Sequence, residues 1–162
     1  MSTLTTNISD SSRVLRLLVC VAASFAPGVI GGRFKPDVWY QTIEKSALTP
    51  PGIVFPIVWS ALYLMMGIAL WRYIERKSAR GSGVALFAIQ LVLNGLWSYL
   101  FFGLHQPGLA LVDIVLLWVA IAATIATFSR ATRGAALLLA PYLAWVSFAT
   151  FLNFEIWRLQ GM

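Results

Sequence analysis

The sequence predicts an all-α integral membrane protein, a bundle of five transmembrane helices, and three observations predict it. Apolar residues make up 59% of the 162 and charged residues 11%, against about 45–50% and about 25% in soluble domains. The apolar residues fall into five runs of the length, about 17–25 residues, that carries a helix across roughly 30 Å of hydrocarbon. The basic residues stand in ones and twos at the ends of those runs rather than along them. In lipid a backbone has no water to bond, so each run is expected to be helical.

Taken in order, residues 1–13 are polar and rich in Ser and Thr, which predicts a disordered tail. One transmembrane domain follows over residues 14–160. Its first span is placed at about 14–34; it is too long for a signal-peptide core and lacks a small-residue cleavage site, so it is expected to remain in the product. It holds Cys20, the only cysteine, so no internal disulfide can form. It ends in Pro27-Gly28-Val29-Ile30-Gly31-Gly32, where Gly28 and Gly32 make a G-x-x-x-G that serves either internal packing or self-association. The longest loop, Lys35 to Val54, carries Trp39 and Tyr40, which either anchor at lipid headgroups or belong to a lid folded over the helix ends. Pro50 and Pro51 stiffen its exit, and Pro56 is tolerated in the first turn of the next helix.

The second span is placed at about 55–73, the third at 84–104, the fourth at 109–128 and the fifth at 135–156. The connections between them are short, which predicts that consecutive helices are antiparallel neighbours. They leave no room for an extramembrane catalytic domain. Five spans do not divide into the equal inverted halves common in secondary transporters.

The net charge of +6 is explained by topology rather than by nucleic acid, because no basic stripe or nucleic-acid module is present. Arg13, Arg16, Arg72, Arg76, Lys77, Arg80, Arg130 and Arg133 fall on one side of a five-span chain, and Arg33, Lys35, Lys45 and Arg158 on the other. The positive-inside rule then predicts a cytoplasmic N-terminus, and a helical bundle favours the bacterial inner membrane.

Conventional catalysis finds little support. A single histidine, His105, cannot build a multi-histidine metal site. No G-x-S-x-G, phosphate loop or dinucleotide fingerprint occurs. Asp113, near the start of the fourth span, is expected to sit against the free amides of a helix N-terminus. No metal site and no required cofactor are expected.

What stands out is aromatic. Of the seven tryptophans, Trp71, Trp118 and Trp157 read as interfacial or lipid-facing. The others join stripes at spacings of three and four, which lie on one helix face. Phe55, Trp59, Leu62, Tyr63 and Met66 form one, Gln90, Asn94, Trp97 and Phe101 a second, and Tyr142, Trp145, Phe148, Ala149 and Leu152 a third, with Asn153 beside it. Amides are costly in hydrocarbon, so Gln90, Asn94 and Asn153 are expected to face the interior. There they act either as interhelical glue of about 1–2 kcal/mol or less each, or as polar points in a pocket for a flat, mostly apolar ligand.

Four stretches then resemble the translocator protein or tryptophan-rich sensory protein family, TspO/MBR. They are Trp39-Tyr40, Thr49-Pro50-Pro51-Gly52 followed by Phe55 to Trp59, Asn94-Gly95-Leu96-Trp97-Ser98, and Pro141-Tyr142-Leu143-Ala144-Trp145 through Ala149 to Asn153. The resemblance implies a five-helix bundle, commonly a homodimer, with a pocket for porphyrins, sterols and similar flat apolar molecules. It implies that Tyr40 and Pro51 belong to the lid, and that Phe55, Trp59, Asn94, Trp97, Ser98, Trp145, Phe148 and Ala149 line the pocket. It further implies a receptor or sensor for protoporphyrin-type tetrapyrroles, with Trp59 and Trp145 as the residues nearest a light-dependent degradation; porphyrin transport is the alternative. Two departures are present. Leu48 and Ser46 stand where members often have Trp and Pro, and Phe154 stands where the family's sterol motif needs Tyr.

Overall fold

A computed structural model describes residues 3–76 and 78–161. Helix α1 runs over Thr3–Gly31, α2 over Val38–Thr42, α3 over Val54–Ile74, α4 over Gly81–Ser98, α5 over Pro107–Ala131 and α6 over Arg133–Leu159. A π-helical turn, Tyr99–Gly103, prolongs α4. No strand is present among the described residues. Five helices are long and apolar enough to cross a membrane: α1 from Asp10, α3, α4 with its π turn, α5 and α6. The all-α, five-span expectation holds, and the chain is an integral membrane protein.

Several boundaries moved. The polar stretch 1–13, expected to be a disordered tail, is helical from Thr3 onward, continuous with the first span. Its residues Asp10 to Arg13 are exposed; the first two residues lie outside the described set, as does Lys77 of the basic cluster. α5 begins at Pro107, whose missing N–H costs nothing at a first helical position. Asp113 therefore lies nearly two turns inside α5, where backbone amides already bond the preceding turn, and neither of its oxygens meets a donor. The expected helix N-terminal partnership is absent for that reason.

The helices pack as a closed ring in the order α1, α3, α6, α5, α4 and back to α1. Consecutive spans are neighbours with one exception. α3 and α4, joined by a short connection, stand across the interior from one another and meet through long side chains. Tyr73 of α3 reaches Gly83, where an added Cβ would clash with its hydroxyl, and that hydroxyl receives the Arg80 N–H at 2.9 Å. A short loop fixes only where two helices join, not whether they stay together along their length.

Glycines set the close approaches. A Cβ on Gly67 would stand 2.5 Å from the Val21 Cα, so α1 and α3 touch backbone to backbone. On Gly28 it would meet the Tyr63 ring at 2.7 Å and on Gly31 the Ser98 hydroxyl at 2.7 Å. Gly28 of the first span's G-x-x-x-G thus works in internal packing, whereas a Cβ on Gly32 would meet only the Gly28 and Val29 carbonyls of its own segment.

The two ends of the bundle differ. At the arginine-rich end Tyr73 stacks on Phe128, with centroids 4.0 Å apart, and Phe87 lies 6.2 Å from Phe128. All three rings are buried, and they close the interior there. Glu75 gathers Arg16 at 2.9 Å and Arg13 at 3.4 Å at the same end. Toward the other end the interior opens beneath the long loop.

Candidate functional site

The opening is a cavity of about 1030 Å³, at the upper end of the roughly 300–1,000 Å³ typical of ligand sites. Its walls come from every spanning helix. α1 contributes Phe25, Pro27, Gly28, Val29 and Gly31; α3 contributes Phe55, Pro56, Trp59, Ser60 and Tyr63; α4 with its π turn contributes Asn94, Trp97, Ser98, Phe101 and Phe102; α5 contributes Ile114 and Leu117; and α6 contributes Trp145, Val146, Ala149, Leu152, Asn153 and Ile156. The long loop supplies the cover through Lys35, Pro36, Tyr40, Lys45, Ser46, Thr49, Pro50 and Gly52.

Helical periodicity brings the aromatic walls together. Trp59 stacks on Tyr63 at 5.3 Å and meets Tyr142 edge-on at 6.0 Å. Trp145 faces Phe55 edge-on at 5.9 Å, and Trp97 stacks on Phe101 at 5.0 Å. The π turn widens the end of α4 by one residue, so that both Phe101 and Phe102 turn inward.

Polar groups of the wall are largely engaged with each other. Tyr63 donates to Asn94 Oδ1 at 2.8 Å, and Asn94 Nδ2 donates to the Tyr142 hydroxyl at 3.1 Å, joining α3, α4 and α6. Trp97 Nε1 donates to Asn153 Oδ1 at 2.9 Å, and Asn153 Nδ2 donates to the Pro107 carbonyl at 2.8 Å. Both amides are buried, as is Gln90, whose side chain meets no partner among the described residues.

The loop folds back onto the bundle. Asp37 caps α2 by accepting the Tyr40 N–H at 3.2 Å. Its other oxygen lies 3.0 Å from His105 Nε2, and Trp39 stacks on the His105 ring at 4.4 Å. His105 holds a left-handed φ of 54° to reach them. The Tyr40 N–H, and after it the neighbouring imidazole, holds the Asp37 carboxyl below the usual carboxylate range. Burial pushes the Tyr40 phenol up. Tyr40 itself packs edge-on against Phe101 and Phe102. Of the two readings open for Trp39 and Tyr40, the structure adopts the lid.

Of the residues singled out from sequence, Tyr40, Phe55, Trp59, Asn94, Trp97, Ser98, Trp145 and Ala149 line one cavity. Pro51 and Phe148 do not. Pro51 is exposed in the loop beside its lining neighbours Pro50 and Gly52, and Phe148 is half-buried behind Trp145 at 5.8 Å. Sequence reasoning missed the α1 wall, where Pro27 and Gly28 gave a signal only for bending and packing. It also missed Lys35, Ser60 and Thr49 as wall residues. Trp118, expected to face lipid, is 39% exposed and donates to Ser147 at 2.8 Å. Among the described residues no three of His, Cys, Asp and Glu gather as a metal site would require.

Fold and cavity together define a polytopic membrane protein with an aromatic, ligand-sized chamber under a loop lid. Residues 17–158 match the sequence profile of the TspO/MBR family. The chain is 46% identical over 156 residues to the tryptophan-rich protein TspO of Chlorobaculum tepidum, covering 93% of this chain and 99% of that one. It is 39% identical over 143 residues to the tryptophan-rich sensory protein of Cereibacter sphaeroides, covering 88% and 90%. It is also 39% identical over 124 residues to the human translocator protein, covering 74% and 73%. The chain belongs to the TspO/MBR family.

Proposed function

We propose that this protein is a membrane receptor or sensor that takes a protoporphyrin-type tetrapyrrole, or another flat apolar molecule such as a sterol, into the chamber between its helices. One observation carries the reading: Phe55, Trp59, Trp97 and Trp145, from three helices, face a single cavity of about 1030 Å³. Aromatic walls bury a flat ring system through offset stacking and edge contacts. The names of two relatives, a sensory protein and a translocator protein, support a receptor role. The closed Tyr73–Phe128 end favours a receptor over a transporter, which needs a second opening. In this reading the protein acts as a homodimer in the bacterial inner membrane with its N-terminus in the cytoplasm. The excess of arginine at one end supports that orientation.

Light-dependent oxidation of the bound porphyrin by dissolved oxygen, which the excited porphyrin activates, is the second reading, favoured by the presence of two indoles, Trp59 and Trp145, lining the same cavity. Both readings are tested with purified protein in detergent. Protoporphyrin should quench tryptophan fluorescence saturably in the dark, and illumination should then bleach porphyrin absorbance in wild type but less in Trp59→Phe and Trp145→Phe. Saturable quenching without tryptophan-dependent bleaching leaves the receptor and removes the photochemistry. Absence of saturable quenching removes the porphyrin reading.

A further inference from the structure

The sealed end of the bundle holds more positive charge than its acids balance. It carries eight of the 12 basic residues and, of the 6 acids, only Asp10 and Glu75. Glu75 is taken by Arg16 and Arg13, and Asp10 lies beside Arg13 on α1. Arg72, Arg76, Arg80, Arg130 and Arg133 are exposed and make no ion pair with the described residues. These free arginines are not spread apart. Arg72, in the last turn of α3, lies across the first turn of α6: a Cβ added to Gly134 would stand 3.0 Å from its Nη2 and 3.2 Å from its Cζ. Gly134 adjoins Arg133, and Arg130 stands in the last turn of α5 just before it. Guanidiniums from α3, α5 and α6 thus share one corner of the bundle, with no carboxylate bound to any of them.

The positive-inside rule accounts for basic residues on this side of the membrane, but it does not require them to converge. Neighbouring guanidiniums repel, since salt screens charges only beyond about 8–10 Å, and an anion held among them removes the repulsion. The depth of the corner identifies that anion. α3, α5 and α6 are membrane-spanning helices, and α3 and α5 end and α6 begins here, so the corner stands where phospholipid headgroups lie. Leu137, one turn beyond Arg133 on the same face of α6, is 70% exposed and carries the outer surface into the hydrocarbon. A headgroup at Arg133 therefore leaves its acyl chain along Leu137. Phosphate accepts paired N–H bonds from a guanidinium. A zwitterionic head would bring its own cation into the same corner, so a head of net negative charge is favoured, as basic pockets between helices at this level favour it generally.

We propose that the corner formed by Arg72, Arg130 and Arg133 binds the phosphate of an anionic phospholipid from the leaflet it faces, with Leu137 beside the acyl chain, and that the lipid ties α3 to the turn between α5 and α6. The proposal is independent of what the chamber binds. In its test, purified protein in uncharged detergent is titrated with phosphatidylglycerol, with phosphatidylcholine of the same chains, or with inorganic phosphate, and the melting temperature is followed. Phosphatidylglycerol should raise it by several degrees more than phosphatidylcholine, because a ligand that binds only the folded state stabilises it. The excess should shrink in about 1 M salt. Arg72→Gln/Arg133→Gln should lose most of the excess, whereas Arg33→Gln, a loss of positive charge at the other end, should keep it. Arg133→Gln alone, at an exposed side chain without an ion pair, should lose part of it and decides the matter if the double variant does not fold. Equal shifts from the two lipids would overturn the proposal, as would an excess that persists undiminished in the Arg133 variants. A shift from inorganic phosphate equal to that from phosphatidylglycerol would make the corner a site for a free anion and overturn the lipid.

Discussion

Asn94 illustrates how a residue marked by its neighbourhood can act otherwise than its place in a motif suggests. It lines the chamber, but its oxygen and nitrogen hold Tyr63 and Tyr142 across three helices. Removing it leaves two buried hydroxyls without their shared partner, at a cost of about 1–3 kcal/mol. Asn94→Ala should therefore lower the melting temperature in detergent and change ligand affinity little. An unchanged melting temperature with weakened quenching would instead make Asn94 a ligand contact. Trp145 is the opposite case, with no hydrogen-bond partner for its N–H. Trp145→Phe keeps an aromatic ring against Phe55 but reduces the chamber wall, so the melting temperature should hold while saturable quenching by protoporphyrin in the dark weakens.

At the level of elements, helix contact and lid docking depend on different physics. α1 and α3 touch where Gly67 meets the Val21 Cα, and a backbone atom cannot rotate aside as a side chain can. Gly67→Ala should lower the melting temperature by several degrees, whereas Gly52→Ala, with nothing within 4 Å of its added Cβ, should not. Equal effects would place the constraint elsewhere. The lid is held by the Asp37 carboxylate, which accepts the Tyr40 N–H and lies against His105, as well as by stacked rings. Because the Asp37 carboxyl is depressed in the folded state, its contribution is fully present above the ordinary carboxylate value of about 4. It is lost as pH falls through the lower folded value. Hydrogen exchange over residues 35–54 should rise at such acid pH in wild type, and Asp37→Asn should show raised exchange already at neutral pH with a flatter acid response. Indifference of the loop to both would mean that stacking of Trp39 on His105 holds it alone.

Across the whole molecule, the ring of helices has one sealed, arginine-rich end and one end covered by a loop. The proposed orientation puts the sealed end in the cytoplasm. In a Cys20→Ala background, Ala47→Cys should react with a membrane-impermeant maleimide in intact cells from which the outer barrier has been removed. Ser78→Cys should react only after the membrane is opened. The reverse pattern would invert the protein and make the lid cytoplasmic. The same ring explains why α3 and α4, though consecutive, leave space between them: α6 and α1 occupy the flanks of α3, and the chamber takes the interior.

The amino-acid sequence alone determined the number of spans, because crossing hydrocarbon imposes a length and an apolarity that few other structures share. It also determined most of the aromatic wall, since residues three and four apart must share a helix face, and this brought Trp59, Trp97 and Trp145 into view. Ring order was beyond it: which helices meet depends on matching surfaces such as Gly67 against Val21, and no local pattern records the partner. Tertiary structure alone decided that Asn94 and Asn153 bind other side chains, that Phe148 stands behind Trp145, and that Lys35 and Thr49 reach the chamber. Periodicity assigns a residue to a face, but a hydrogen bond or a cavity exists only once two faces distant in sequence are brought within a few ångströms.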